Sequence, residues 1–466
     1  MKVFKKIDEN DYQFFCSICG DESIFRDEES FETYSKDYTE DLRFLPEIII
    51  KPKTTEEVSA ILKYCNENNI CVTPRGAGTG LSGGALPVFG GVVLAMEKFN
   101  RILSIDERNF QAIVEPGVIN EVFQNAVKEK GLFYPPDPAS KGSCFLGGNM
   151  AHSSGGPRAV KYGTTRDYVL NLEIVLADGS ILHTGANTLK YSTGYNLTHL
   201  MVGSEGTLAV ITKIYLKLIP HPQQTLLMLA SFESPEKACE AVNGIFKAGC
   251  NPSACEFVEP DGFRLSSSML NIGFEIKDNV GAFLLIEVDG NKKDQMMAEC
   301  ESINEVLDSF GAVDVLFAQS ADEKEYFWKL RRSIGEATKH NNTYKEEDTV
   351  VPRAELPTLF TGVKEISKRY GFRSVCYGHA GDGNLHVNIL KDDLSDEFWN
   401  QELDAAIIEI FELCKKLGGT ISGEHGIGYV QKKYMPIVMP EIQLELMRQI
   451  KSAFDPKGIL NPGKIF

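Results

Sequence analysis

Apolar positions along the chain keep a helical period and a strand period in turn, which is the pattern of mixed α and β layers. Thr54-Thr55-Glu56-Glu57 has the form of a helix-starting capping box, and Val58, Ile61, Leu62 and Cys65 then fall on one helical face. The short apolar run Ile70-Cys71-Val72 reads as a strand, and strands are predicted at Val92 to Ala95 and Ala112 to Val114. Glu115-Pro116-Gly117 breaks the last of these, and Val118 to Lys130 reads as a helix closed by Gly131. Asn171 to Ala177 and Ile181 to Thr184 flank the turn Ala177-Asp178-Gly179-Ser180 as a hairpin. The alternating run Leu208 to Ile219 stops at Pro220-His221-Pro222, which marks a domain boundary. Beyond it, strands at Leu226 to Ser231, Ala254 to Val258, Ala282 to Val288 and Val313 to Phe317 are separated by helices at Pro235 to Lys247 and Asp294 to Phe310. That order predicts an α+β domain on an antiparallel sheet.

Composition narrows the function. With 466 residues and 43% hydrophobic content the chain builds more than one core. Its 65 acidic against 48 basic side chains, a net charge of −17, argue against a nucleic-acid partner. An anionic substrate needs a local positive site in such a chain. No apolar run reaches the ~18 residues of a membrane span, and the charged start is not signal-like, so a cytoplasmic protein without a transmembrane segment is expected. Apart from Cys16-Ser17-Ile18-Cys19 the eleven cysteines are scattered singly, which fits reduced structural thiols.

The densest chemical signal is Pro74-Arg75-Gly76-Ala77-Gly78-Thr79-Gly80-Leu81-Ser82-Gly83-Gly84-Ala85. Glycines let backbone N–H groups approach a ligand and form an anion cradle. Thr79 and Ser82 add hydroxyls and Arg75 a cation, so a pyrophosphate suits the loop, although taken alone it reads equally as a surface turn. It has neither the Walker ending nor the Rossmann fingerprint. The loop resembles the first FAD-binding loop of flavoproteins of the vanillyl-alcohol oxidase type. Two further stretches of that family are similar to Leu146 to Gly156 followed by Lys161-Tyr162-Gly163, and to Gly203-Ser204-Glu205-Gly206-Thr207 running on to Thr212. The resemblance implies FAD contacts at Pro74, Arg75, Gly76, Ala77, Gly78, Thr79, Gly80, Ser82, Gly83, Gly148, Ser153, Gly156, Gly163, Glu205, Gly206, Ile211 and, in the tail, Asn461. With no histidine or cysteine in the first loop, the FAD is expected to be bound without a covalent link.

A second signal lies in Tyr377-Gly378-His379-Ala380-Gly381-Asp382-Gly383-Asn384-Leu385-His386-Val387-Asn388. If Asp382-Gly383 is a two-residue hairpin turn, His379 and His386 face each other with Cβ atoms about 5 Å apart. They could then share a divalent cation, with Asn388 on the same face as His386. A helix from Gln401 to Leu417 leads to Ser422-Gly423-Glu424-His425-Gly426, where Glu424 offers a carboxylate ligand and His425 a base. The same stretch is also compatible with a plain glycine-rich link.

At these residues the chain is similar to the FAD-linked 2-hydroxyacid dehydrogenases, which include D-lactate dehydrogenases, glycolate oxidase flavin subunits and D-2-hydroxyglutarate dehydrogenases. The resemblance runs from about residue 40 to the end and implies a metal (zinc, or iron or manganese) at His379, His386 and Glu424, with His425 as proton acceptor. It implies that Arg331 and Lys345 bind substrate carboxylate, and we add Asn388 to the catalytic set. Gly335 stands where the 2-hydroxyglutarate enzymes carry a hydroxyl residue, which favours a short substrate. The expected architecture is a helical lead-in at 1–45, a vanillyl-alcohol-oxidase-type FAD-binding domain at 46–220, an α+β cap at 221–420 and a returning segment at 421–466. The expected reaction is oxidation of D-lactate to pyruvate, with glycolate or D-2-hydroxyglutarate as alternatives and an acceptor such as an electron-transfer flavoprotein or a quinone. Rival readings are an electron-relay subunit without catalysis and a nicotinamide-dependent reductase on the same flavin fold.

Overall fold

The Thr54 side chain accepts the Glu57 amide and starts the helix Thr55–Asn68, which buries Thr55, Val58, Ile61, Leu62 and Cys65 on one face. Behind it comes the strand Val72–Arg75, so the glycine loop leaves a buried strand whose position is fixed by that helix. The computed structural model describes residues 3–39 and 42–466; residues 1, 2, 40 and 41 of the expected lead-in lie outside them. The chain forms two units, one of Met1–Gly155, Thr164–His221 and Glu424–Phe466, the other of Gly156–Gly163 and Pro222–Gly423.

In the first unit, Ile48–Ile50 and Val72–Arg75 both pair in parallel with Val92–Ala95. Ile24–Phe25, from the stretch expected to be only helical, adds an antiparallel edge. The helices Glu9–Cys19 and Glu28–Tyr34 come from the same stretch. Phe15, Cys19 and Ile24 share a core with Val58, Ile61 and Val92. A five-stranded antiparallel sheet follows in the order Ile102–Asp106, Gln111–Val114, Val210–Lys217, Val169–Val175, Ile181–His183. Its central strand Val210–Lys217 alternates buried and half-buried positions, as the period of two requires. The tail closes the first sheet: Val72 donates its amide to the Ile459 carbonyl and accepts the Asn461 amide, each at 2.8 Å.

The second unit carries a seven-stranded sheet in the order Ala312–Phe317, Gln224–Phe232, Ala282–Gly290, Ala254–Val258, Arg373–Gly378, Asn384–Leu390, Tyr344–Val350. Every paired neighbour is antiparallel. Helices Pro235–Lys247, Lys293–Ser309 and Leu356–Tyr370 bury their apolar faces. The helix Pro260–Leu270 has no counterpart in the sequence reading, because Ser266-Ser267-Ser268 weakens its helical pattern. Among the described residues no helix is long and apolar enough to cross a membrane.

Candidate active site

In the first unit the three glycine-containing stretches meet. A Cβ on Gly76 would lie 3.8 Å from Gly148, one on Gly206 3.4 Å from Pro74, and one on Gly84 3.1 Å from the His152 ring. Gly203 and Glu205 donate their amides to the carbonyls of Met150 and Ala151, which ties the third stretch to the second. Asn461 donates its side-chain amide to the carbonyls of Gly84 and Glu205, so the tail locks the first loop to the third. Gly76 to Leu81 stay partly exposed, leaving their backbone reachable. Ser153 and Glu205 both sit in the left-handed region, at φ 54° and 52°. Ile211 lies in the central strand opposite Ile174, away from the loops in sequence but inside the same sheet.

Two polar groups of the glycine loop are buried. Arg75 is buried, its guanidinium lying over the Tyr34 ring, 5.2 Å from the centroid. Its Nη1 has no hydrogen-bond partner among the described residues. Ser82 is also buried, and its hydroxyl donates to the His425 carbonyl at 3.1 Å. The Glu205 carboxylate accepts the amides of Ile427 and Gly428, both at 2.7 Å, and so holds the residues after His425. Gly426 has φ +81°, and a Cβ there would meet His152 Nδ1 at 2.5 Å. His152 Nδ1 is buried without a partner among the described residues. Two unsatisfied nitrogens beside a loop of free amides fit an anionic cofactor. Gly156 and Gly163 bound the short excursion that belongs to the other unit, where Lys161 pairs with Asp289 at 2.6 Å.

In the second unit the histidine hairpin is wider than a two-residue turn. Residues Ala380–Asp382 form a turn of 3-10 helix with Gly383 at φ +74°, and the register pairs Tyr377, not His379, with His386. His379 lies beyond the end of its strand, diagonal to His386, with ring centroids 5.3 Å apart and planes at 85°. The cause is at Gly383, where a Cβ would strike the Val351 carbonyl at 2.0 Å: the loop is folded against a neighbouring segment and needs its extra residues.

Glu256, in the middle of the strand Ala254–Val258 and fully buried, places its oxygens 2.9 and 3.0 Å from His379 Nδ1 and 2.6 Å from Arg331 Nη2. Burial pushes its pKa up, but the charges of His379 and Arg331 outweigh that and hold it below the ordinary carboxylate value. Asp348 lies 3.5 Å from His386 Nδ1 and accepts hydrogen bonds from Asn384 Nδ2, Ser422 Oγ and the Gly423 amide at 2.8 to 2.9 Å. It fixes the backbone one peptide bond before Glu424. The Glu256 carboxylate behind Nδ1 leaves Nε2 of His379 to ligate, and two imidazoles fit a borderline divalent cation.

Strand register sorts the remaining candidates. Asn388 and Glu346 are opposite each other, as are His386 and Asp348, so these four share one face of the sheet. Asn388 is fully buried, and neither amide atom has a partner at hydrogen-bond geometry among the described residues. Lys345 pairs with Ile389 and points to the opposite face, where its Nζ donates to the Trp399 carbonyl at 3.0 Å. Glu346, its neighbour, is the residue of this strand that shares the His386 face. Its carboxylate is 3.7 Å from His386 Nδ1 and 3.4 Å from the Tyr377 hydroxyl. Burial pushes the Tyr377 phenol well above its ordinary value, and the Arg331 guanidinium covers its ring at 4.9 Å. A Cβ on Gly335 would meet only that hydroxyl, at 3.2 Å.

Residues 46–185 match the FAD binding domain family, and residues 221–465 match the C-terminal domain family of FAD linked oxidases. The chain belongs to the FAD-linked oxidases. The glycolate oxidase subunit GlcD of Bacillus subtilis is 40% identical to this oxidase over 434 residues, covering 93% of this chain and 92% of the relative. A D-lactate dehydrogenase of Anaerostipes hadrus is 39% identical over 426 residues, covering 90% and 89%. Substrate-bound p-cresol methylhydroxylase matches the fold with a TM-score of 0.81 at 19% identity, over 99% of this chain and 98% of that one. This oxidase therefore has the vanillyl-alcohol oxidase fold and is an FAD-linked oxidoreductase of the 2-hydroxyacid dehydrogenase type. Glu256, Asp348 and Glu346 were missed in the sequence because a lone acid in a strand carries no motif; the alternation of strand Tyr344–Val350 was the one signal for Glu346.

Proposed function

We propose that this oxidase converts a short 2-hydroxy monocarboxylate to its 2-oxo acid, with D-lactate ahead of glycolate and both ahead of D-2-hydroxyglutarate. The observation that carries the substrate choice is Glu346: a buried carboxylate on the His386 face repels a second carboxylate on the substrate. Gly335, with the Tyr377 hydroxyl over it, provides no side chain to hold one.

In this reading FAD is held non-covalently by the amides of residues 76 to 81, with Asn461 and Glu205 bracing the loop. His379, His386 and Glu424 would hold a divalent cation, zinc by donor chemistry or iron or manganese. When bound, FAD would supply the acceptor for the C2 hydrogen and its electron pair, and the cation would supply Lewis acidity toward the hydroxyl and carboxylate oxygens. His425 accepts the hydroxyl proton, and the C2–O bond becomes a carbonyl as C2–H breaks. The Ser82 bond to its carbonyl and the Glu205 bonds to the two following residues hold the backbone from which that base acts. Arg331 meets the substrate carboxylate, and Asn388 has the unspent amide to orient it. The acceptor expected for the electrons that bound FAD would take up is a protein, an electron-transfer flavoprotein being the candidate, or a quinone.

Anaerobic bleaching of the flavin tests this reading. D-lactate should bleach faster than glycolate, and both faster than D-2-hydroxyglutarate or L-lactate. Fastest bleaching by the diacid would reject the argument from Glu346, and bleaching by none would leave an electron-relay subunit.

A further inference from the structure

Beyond the proposed ligands, one buried side chain touches two of the proposed functional groups at once. Glu256 is fully buried on a central strand, and its two oxygens serve His379 Nδ1 at 2.9 and 3.0 Å and Arg331 Nη2 at 2.6 Å. An ionised carboxylate can only accept, so Nδ1 must carry the proton and Nε2 the lone pair. The same carboxylate is a buried counter-charge 2.6 Å from the Arg331 guanidinium, which also lies over the Tyr377 ring. His379 comes from the hairpin turn and Arg331 from the end of the helix Ala321–Arg332, so no shared element aligns them. Glu256 contacts both.

We propose that Glu256 is a positioning residue that sets the tautomer and ring direction of His379 and, as its buried counter-charge, holds Arg331 beside it. The divalent cation and the substrate carboxylate are then bound by one rigid unit, and the strength of one depends on the same carboxylate as the strength of the other. This rests on the metal and substrate reading given above.

Glu256→Gln tests it, because the amide has one acceptor oxygen for two donors and turns its own NH2 toward the other. Zinc affinity is measured on the FAD-loaded protein against a zinc-buffered series, alongside the melting temperature, the zinc-to-FAD ratio, and KM and kcat for D-lactate. The expected result is zinc binding weakened about 10- to 100-fold, the scale of a lost orienting partner, with KM raised and FAD content kept. Glu256→Asp, which keeps the charge with a shorter reach, should fall between wild type and Glu256→Gln. Unchanged zinc affinity and KM in a folded Glu256→Gln protein would overturn the proposal. So would a lower melting temperature with the zinc-to-FAD ratio unmoved, which is what a purely structural role produces. If Glu256→Gln does not fold, Glu256→Asp decides: weakened zinc supports the link and wild-type zinc affinity overturns it. A wild type that takes up no divalent cation overturns the metal reading and this inference together, whereas one that binds zinc no better than Glu256→Gln overturns the inference alone.

Discussion

The Ser82 hydroxyl donates to the carbonyl of His425 at 3.1 Å, across 343 positions of sequence. The glycine loop and the backbone of the proposed base are thereby one local structure, and a change at Ser82 should be felt as chemistry. Ser82→Ala is expected to keep FAD and to slow flavin reduction about 5- to 10-fold, the rate equivalent of one hydrogen bond of roughly 1 kcal/mol. Stopped-flow reduction by D-lactate, with FAD content read from absorbance, measures it; an unchanged rate removes the coupling.

Glu346 sets the charge of the His386 face. Glu346→Gln should raise kcat/KM for D-2-hydroxyglutarate relative to D-lactate by about tenfold, the scale of one contact in a specificity site. A ratio that stays put, or moves toward lactate, means the second carboxylate never comes near this residue.

Lys345 is spent on the Trp399 carbonyl on the opposite face. Lys345→Met should therefore change KM for the substrate by less than about twofold, well inside the spread of a surface substitution. A rise of tenfold or more would restore it to the substrate site.

His386→Ala should lose the divalent metal, keep FAD, and slow turnover on the order of 10³-fold, the few kcal/mol that a Lewis acid contributes. Elemental analysis against flavin absorbance gives the answer; metal content equal to wild type would dismiss His386 as a ligand.

Alkaline pH should unfold the protein through its buried thiols. Burial pushes Cys19, Cys71, Cys300, Cys376 and Cys414 up to about 12, from an ordinary value of 9.0. The folded state keeps protons that the unfolded chain releases, so their contribution is whole below pH 9 and is lost as pH rises from 9 through 12. Each adds a slope of about 1.4 kcal/mol per pH unit over that window. Under reducing conditions the urea midpoint should fall steeply above pH 9, and Cys376→Ala should make the fall shallower.

What the sequence made readable was local. Thr54, the alternation of Val210–Lys217 and the turn residues between Val175 and Ile181 each fix their own neighbourhood, and the structure has them so, although the Glu57 carboxylate takes the Lys53 amide and leaves the capping box half made. The His379 hairpin was misread because its turn is set by a distant carbonyl, Val351, that a turn-residue rule does not contain. The contacts that Ser82 and Arg75 make within the protein, with the His425 carbonyl and the Tyr34 ring, could not be read because folding alone brings those partners to them. Glu256 is invisible for the same reason: its meaning lies in two residues 75 and 123 positions away, of which only the second separation is a hydrogen bond.

The unit built around the glycine loop needs its last strand partner, since Val72 exchanges hydrogen bonds with Ile459 and Asn461. The other unit takes almost all of its residues from the continuous stretch Pro222–Gly423. During synthesis the sheet of the histidines can therefore form while the strand Val72–Arg75 still waits for the tail to leave the ribosome. The unit of the glycine loop is finished last, so an unfinished chain can complete the sheet that carries His379 and His386 before it completes the loop proposed to hold FAD.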